Sequence, residues 1–223
     1  MYEPPPPPLP RHIAPKYSFW LGARLGWFVP FGDLWARCTQ PVGNDCGNFE
    51  GVPFSDYASS GPMFELDVGG RLGRNYNLFV LWERATLGAG SLNPDPVGEQ
   101  DGGDTDFFAL ALRVSSDPDK VGFLTEIALG ARRFRATYAN GAELRMTDAP
   151  FEARLGLGAD IRISPAFTLS PLLTVGVGAF GDAEFVLPDG SSVSATNDTD
   201  ARTSHGWLTL QLGAHFDIGG GGG

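Results

Sequence analysis

Residues 151–163 read FEARLGLGADIRI. Phe151, Ala153, Leu155, Leu157, Ala159, Ile161 and Ile163 are all apolar, while Glu152, Arg154, Gly156, Gly158, Asp160 and Arg162 are all charged or glycine. Side chains of an extended chain alternate between its two faces, so the stretch is a strand with one greasy face and one charged face. Its length is a second clue. Strands in ordinary globular proteins run about 5 to 6 residues, whereas a tilted strand that crosses a bilayer needs about 9 to 11.

The same alternation recurs on both sides of this stretch, and helical periodicity is nearly absent. We expect strands over about Tyr17–Val29, Met63–Arg74, Leu78–Gly88, Asp106–Ser115, Gly122–Tyr138, Phe151–Ile163, Phe167–Phe180 and His205–Ile218. The third has an ambiguous phase, because Glu83 and Arg84 are adjacent and cannot share a face. Short turn signals lie near Asn75, Asp117 and Ser164, where Asn, Asp, Ser and Pro favour tight reversals. Between them lie long connections, about Pro30–Pro62, Ala89–Thr105, Ala139–Pro150 and Gly181–Thr203. Alternating short and long connections, with both chain ends on the short side, describe an all-β, eight-stranded antiparallel up-and-down transmembrane β-barrel with short periplasmic turns and long extracellular loops.

Alternation alone does not separate a soluble barrel from a membrane one; the direction of the pattern does. The non-greasy face carries Arg24, Glu65, Asp67, Arg71, Arg113, Glu126, Arg132, Glu152, Arg154, Asp160, Arg162 and Asp217, interleaved with glycine. A near-balanced set of acids and arginines with small spacers suits a narrow lumen filled by crossed ion pairs. Aromatics on the greasy face fall at both strand ends: Trp27, Phe64, Phe108 and Phe151 at the outer end, and Phe19, Phe123, Phe167 and Phe216 at the periplasmic end. Such girdles mark the two interfaces of a bilayer.

Composition narrows the remaining choices. The 223 residues carry 16 Lys and Arg against 26 Asp and Glu, a formal charge of −10, which argues against nucleic acid as a partner. Much of the acid sits in 93–106 and 182–200, which read as solvated loops. A calcium site there is the sharper alternative, but no EF-hand spacing is present, so no metal is assigned. Cys38 and Cys46 flank a loop of turn-forming residues and are read as a disulfide, which fits an exported protein. No apolar run is long enough for a membrane helix, and MYEPPPPPLPRH has no apolar signal core, so the chain is read as a mature or trimmed form. Residues 1–16 form a disordered Pro-rich arm, with Pro4 to Pro8 an extended spacer. Residues 17–218 form the barrel, and 219–223 a flexible Gly tail.

With FEARLGLGADIRI, WLTLQLGAHFDI and turns such as SPAF, the pattern resembles the small eight-stranded outer-membrane barrels, the OmpA transmembrane domain and OmpX-like group, over about Tyr17–Ile218. The final strand departs from that family's terminal aromatic: Phe216 is followed by Asp217, Ile218 and the Gly tail. The resemblance implies a bacterial outer-membrane location. It leaves three roles open: a structural or surface-interaction barrel with a plugged polar lumen, a small-solute pore or ligand carrier, and a lipid A-modifying enzyme. The first is the reading adopted, with no enzyme activity and no cofactor. An enzyme would need a nucleophile in reach of His205, and Ser204, its neighbour, points to the other face. Arg133 and Arg135 share the outward face near the top of the fifth strand. They read equally well as lipopolysaccharide contacts or as a solvated rim or lumen cap. Outer-membrane lipid and lipopolysaccharide are the expected partners, a monomer the expected state, and an unidentified extracellular or periplasmic protein is left open.

Overall fold

The computed structural model describes residues 14–42, 45–92, 98–146, 151–196 and 200–220. The polyproline segment, His12 and the last three glycines lie outside the described residues. Eight long strands form the body: β1 (Tyr17–Cys38), β2 (Gly61–Leu72), β3 (Tyr76–Leu87), β4 (Gln100–Ser115), β5 (Val121–Tyr138), β6 (Phe151–Ser164), β7 (Phe167–Ala179) and β8 (Ser204–Ile218). Each pairs antiparallel with its sequence neighbours, and β8 returns to β1 with Phe19 opposite Ile218 and Gly32 opposite His205. The sheet therefore closes into a ring of eight, which removes the unpaired edges that an open sheet leaves. Among the described residues no helix is long and apolar enough to cross a membrane.

The burial pattern runs opposite to that of a soluble protein. Along β6, Phe151, Leu155, Leu157 and Ile163 are exposed while Glu152, Arg154 and Asp160 are buried. The same inversion holds around the ring: Leu25, Val80, Leu110, Leu129 and Leu210 point out, each half or more exposed, and Arg24, Glu65, Arg113, Glu126 and Arg132 point in with almost no exposure. The inner face of β3 carries Asn77, Phe79, Leu81 and Glu83, so Glu83 belongs to the interior and Arg84 to the outside. Glycines on the inner face make room. A Cβ at Gly22 would collide with His215 and Asp67.

All four long connections are more structured than the sequence reading expects. β1 runs on to Cys38, and β4 begins at Gln100 instead of Asp106. Gly32, at φ 82°, sits where β1 leaves β8, and from Asp33 it pairs with a short strand, Phe49–Pro53. A single 3-10 turn, Phe54–Asp56, follows. Strands Glu143–Met146, Ala183–Val186 and Ser192–Ser194 extend the sheet beyond β5. These extensions persist because they carry their own apolar core: Leu34, Trp35, Phe54, Tyr57, Leu144, Met146 and Phe180 are all buried. Smaller corrections concern the turns. Tyr76 and Asn77 belong to β3, and the reversal is 73–75, with Gly73 at φ 80°.

Candidate functional site: the charged interior and the loop-end rim

The inward side chains form three tiers along the ring. At the turn end, Asp217 accepts two hydrogen bonds from Arg71 (2.8 and 3.0 Å), one from Arg162 (2.7 Å) and one from Ser18 (2.5 Å). The Trp20 indole donates to Asp67 at 2.6 Å and stacks on His215. Arg113 reaches Asp160 at 2.5 Å and also donates to Ser170.

The middle tier is a continuous network. Arg24 donates two bonds to Glu126 (2.9 and 2.7 Å) and lies 3.1 Å from Glu65. Arg154 donates to Glu65 (2.7 Å), Glu83 (2.8 Å) and Glu126 (3.0 Å). Arg132 bridges Glu83 and Glu152. Glu65 and Glu83 face each other directly across β2 and β3, a like-charge pair that would repel without the guanidinium between them. Charge-assisted bonds of this kind satisfy groups whose unpaired burial would cost several kcal/mol each.

The loop-end tier is apolar, a departure from a uniformly polar lumen. Arg132 lies beneath Phe28, Phe107 and Trp207, each ring within about 5.0 Å of its guanidinium carbon. Above them Phe54, carried by the 3-10 turn, packs on Phe134 (4.6 Å) and Trp207 (4.8 Å). Sequence parity places Trp20, Phe107 and Trp207 inside. It does not show that a segment from the long first connection drops in to join them.

The twelve charged residues expected inside all carry side chains that are nearly inaccessible; Glu83 and His215 complete their network. Phe19, Trp27, Phe108, Phe123, Phe151 and Phe216 are exposed on the outer face, and Phe64 and Phe167 are half-buried there. Cys38 and Cys46 form a disulfide that ties the far end of β1 to the following hairpin.

One constellation has the residue types of a hydrolase triad. Ser170 Oγ lies 3.4 Å from His215 Nδ1, and His215 Nε2 lies 3.3 Å from Asp67. The geometry is not that of a nucleophile. The Ser170 hydroxyl donates to Asp160 at 2.7 Å, accepts from Arg113, and is buried. An activated serine needs its proton directed at the base and an open position for substrate. His205 is likewise enclosed, stacked on Phe180 at 3.9 Å, while Ser204 points outward.

Two charged clusters lie beyond the greasy belt. At the turn end, Asp119 accepts from the Ala14 N–H (2.7 Å) and pairs with Arg74. Partial burial pushes its carboxyl up, but these two donors outweigh that and hold it below the usual carboxylate range. At the loop end, Arg84, Arg133, Arg135 and Arg145 share the outer face with Asp104, Asp106 and Glu143. The Asp104 carboxylate, 2.7 Å away, holds the Arg135 guanidinium above its ordinary value.

A closed ring of long antiparallel strands is also the fold of small outer-membrane β-barrel proteins among the solved structures this chain is similar to. Among solved structures, the chain is similar to Neisserial surface protein A (TM-score 0.57, 11% identity, covering 91% of this chain and 99% of that one). It is similar also to the outer membrane protein OprG from Pseudomonas aeruginosa (TM-score 0.54, 11% identity, 93% and 98%). No family model and no curated protein matches the sequence. At such identity the likeness is one of fold.

Proposed function

We propose that the chain is an eight-stranded transmembrane β-barrel of the bacterial outer membrane, with its turns periplasmic, its long connections extracellular, and a lumen closed to solutes. Its role is structural and interactive: a stable wall that presents an extracellular platform. The observation that carries this reading is the ion-paired interior, where Arg24, Arg132 and Arg154 are cross-linked to four glutamates beneath the Phe54 and Trp207 cap. Eight strands leave an interior about wide enough for side chains, and the buried arginines, glutamates and aromatics that point inward support a closed lumen. The exposed aromatics at the two ends of the apolar belt serve as interface anchors. Among the described residues, Ser170 is held by Asp160 and Arg113, and His205 and His215 are stacked on aromatic rings, so the reading assigns the chain no catalytic residue.

Planar-bilayer recording tests this directly. The folded chain should insert and give no stable conductance steps in molar salt. Regular open-channel steps from the unmodified protein would replace the closed barrel with a pore.

A further inference from the structure

We infer that the barrel holds one lipopolysaccharide molecule at a fixed place on its outer wall, over β2 to β5. The inference rests on the outer-membrane reading and names a partner and a site for it. Strand register supplies the first observation. Arg84, Asp106 and Arg133 form one row across β3, β4 and β5; Asp104, Arg135 and Arg145 form the next row outward. The row below them is Trp82 and Phe108, stacked on each other, with the Trp82 indole donating to Asp106 at 2.9 Å. Successive same-face rows are about 7 Å apart. The arginines therefore sit at headgroup height, directly above the aromatic row that tops the greasy belt.

The second observation is independent of charge. On the same wall, beside and below Trp82 and Phe108, the surface is concave, a shallow groove that reaches Leu21 of β1 and is lined by Leu66, Val68, Val80, Leu110 and Leu129. The third is that the arginine rows themselves line a recess. A groove that accepts acyl chains, capped by aromatic rings and then by guanidinium groups, matches an anionic lipid from tail to head.

The balance of charge favours a phosphorylated headgroup. Four arginines face three acids, and the acids are taken: Asp104 pairs with Arg84 and Arg135, Asp106 with Arg84, and Glu143 with Arg145. Arg133 is exposed, with no partner for its guanidinium among the described residues. Guanidinium forks match phosphate oxygens in pairs. Among the described residues, the outer-face positions at the loop ends of β6, β7 and β8 are Phe151, Ala179 and Ser204, with no arginine in those strand rows.

Binding is to be measured on the full chain in lipid nanodiscs, by native mass spectrometry with bis-phosphorylated lipid A, dephosphorylated lipid A and phosphatidylglycerol. Retention of the heat-dependent gel shift certifies that each sample is folded. Saturable binding of one bis-phosphorylated lipid A is expected, about tenfold weaker in Arg133→Ala, the worth of one charge-assisted contact. Arg37→Ala, on the β1 extension, should bind as the wild type does. Equal affinity for the dephosphorylated lipid, or no change in Arg133→Ala, refutes the site. Equal affinity for phosphatidylglycerol refutes lipopolysaccharide as its occupant. A chain that folds and inserts but binds none of them sinks this inference alone; a chain that never inserts sinks the outer-membrane reading with it.

Discussion

Replacing Arg154 by methionine keeps most of the side-chain volume and removes the charge from the centre of the interior. Three charge-assisted hydrogen bonds vanish, to Glu65, Glu83 and Glu126. At about 1.5–3 kcal/mol each, the upper bound is about 4.5–9 kcal/mol. The loss is smaller in practice, because each acid keeps one guanidinium: Glu65 and Glu126 keep Arg24, and Glu83 keeps Arg132. What no neighbour repairs is the direct opposition of Glu65 and Glu83 across two strands. We expect a loss of about 3–5 kcal/mol, the usual cost of breaking a buried ion pair from one side. Urea unfolding in lipid vesicles, followed by tryptophan fluorescence, reads it. Adding Glu65→Gln to Arg154→Met should recover a substantial part, since it removes the repelling charge. A loss under about 1 kcal/mol, or a second substitution that adds to the damage, would show that the network does not hold the interior together.

Four further outcomes follow from the same contacts. Phe54→Ala should cost about 3–5 kcal/mol, the range for emptying a buried aromatic position, measured by the same unfolding curve. Gly22→Val should cost about 1–3 kcal/mol or block folding, because the added carbons meet His215 and Asp67; the heat-dependent gel shift reports the folded fraction. Asp119→Asn should loosen the tether to Ala14 and raise tryptic cleavage after Lys16. Because the Asp119 carboxyl is held below its ordinary value, the tether is fully present above a carboxylate's usual pKa of about 3.9 and is lost as pH falls through its lower folded value. Protection of Lys16, read with an acid-active protease, should therefore persist from neutral pH down to that point and disappear only beneath it.

How much of this was legible beforehand follows from which residues were bound to a period of two. β6 was readable in full, because lipid on one side and a close-packed charged interior on the other leave no position free to drift. β3 was not, because Arg84 lies above the greasy belt, where a charge can face outward at no cost; the alternation rule ends where the hydrocarbon ends. A broken period hid the extension of β1. Past Pro30 the register of β1 shifts between Asp33 and Trp35, so that Leu34 and Trp35 are both buried and the period of two that would announce a continuing strand is broken. The apolar cap escaped for another reason. Phe54, Phe134 and Phe180 come from three distant segments, and only the closed sheet brings them together. Glu83 could have been found by pairing: an acid opposite Glu65 in the only sensible hairpin register demands a shared arginine.

The direction in which each strand presents its two faces can be measured outright. Single spin labels placed in turn at positions 152 to 162 of β6, in lipid vesicles, report their access to oxygen, which concentrates in the bilayer, and to a water-soluble nickel chelate. Labels at 153, 155, 157, 159 and 161 should be relaxed by oxygen, and those at 152, 154, 156, 158, 160 and 162 by neither reagent. Oxygen access at the even positions, or nickel access at Leu155 and Leu157, would turn the barrel inside out and contradict the lipid-facing assignment.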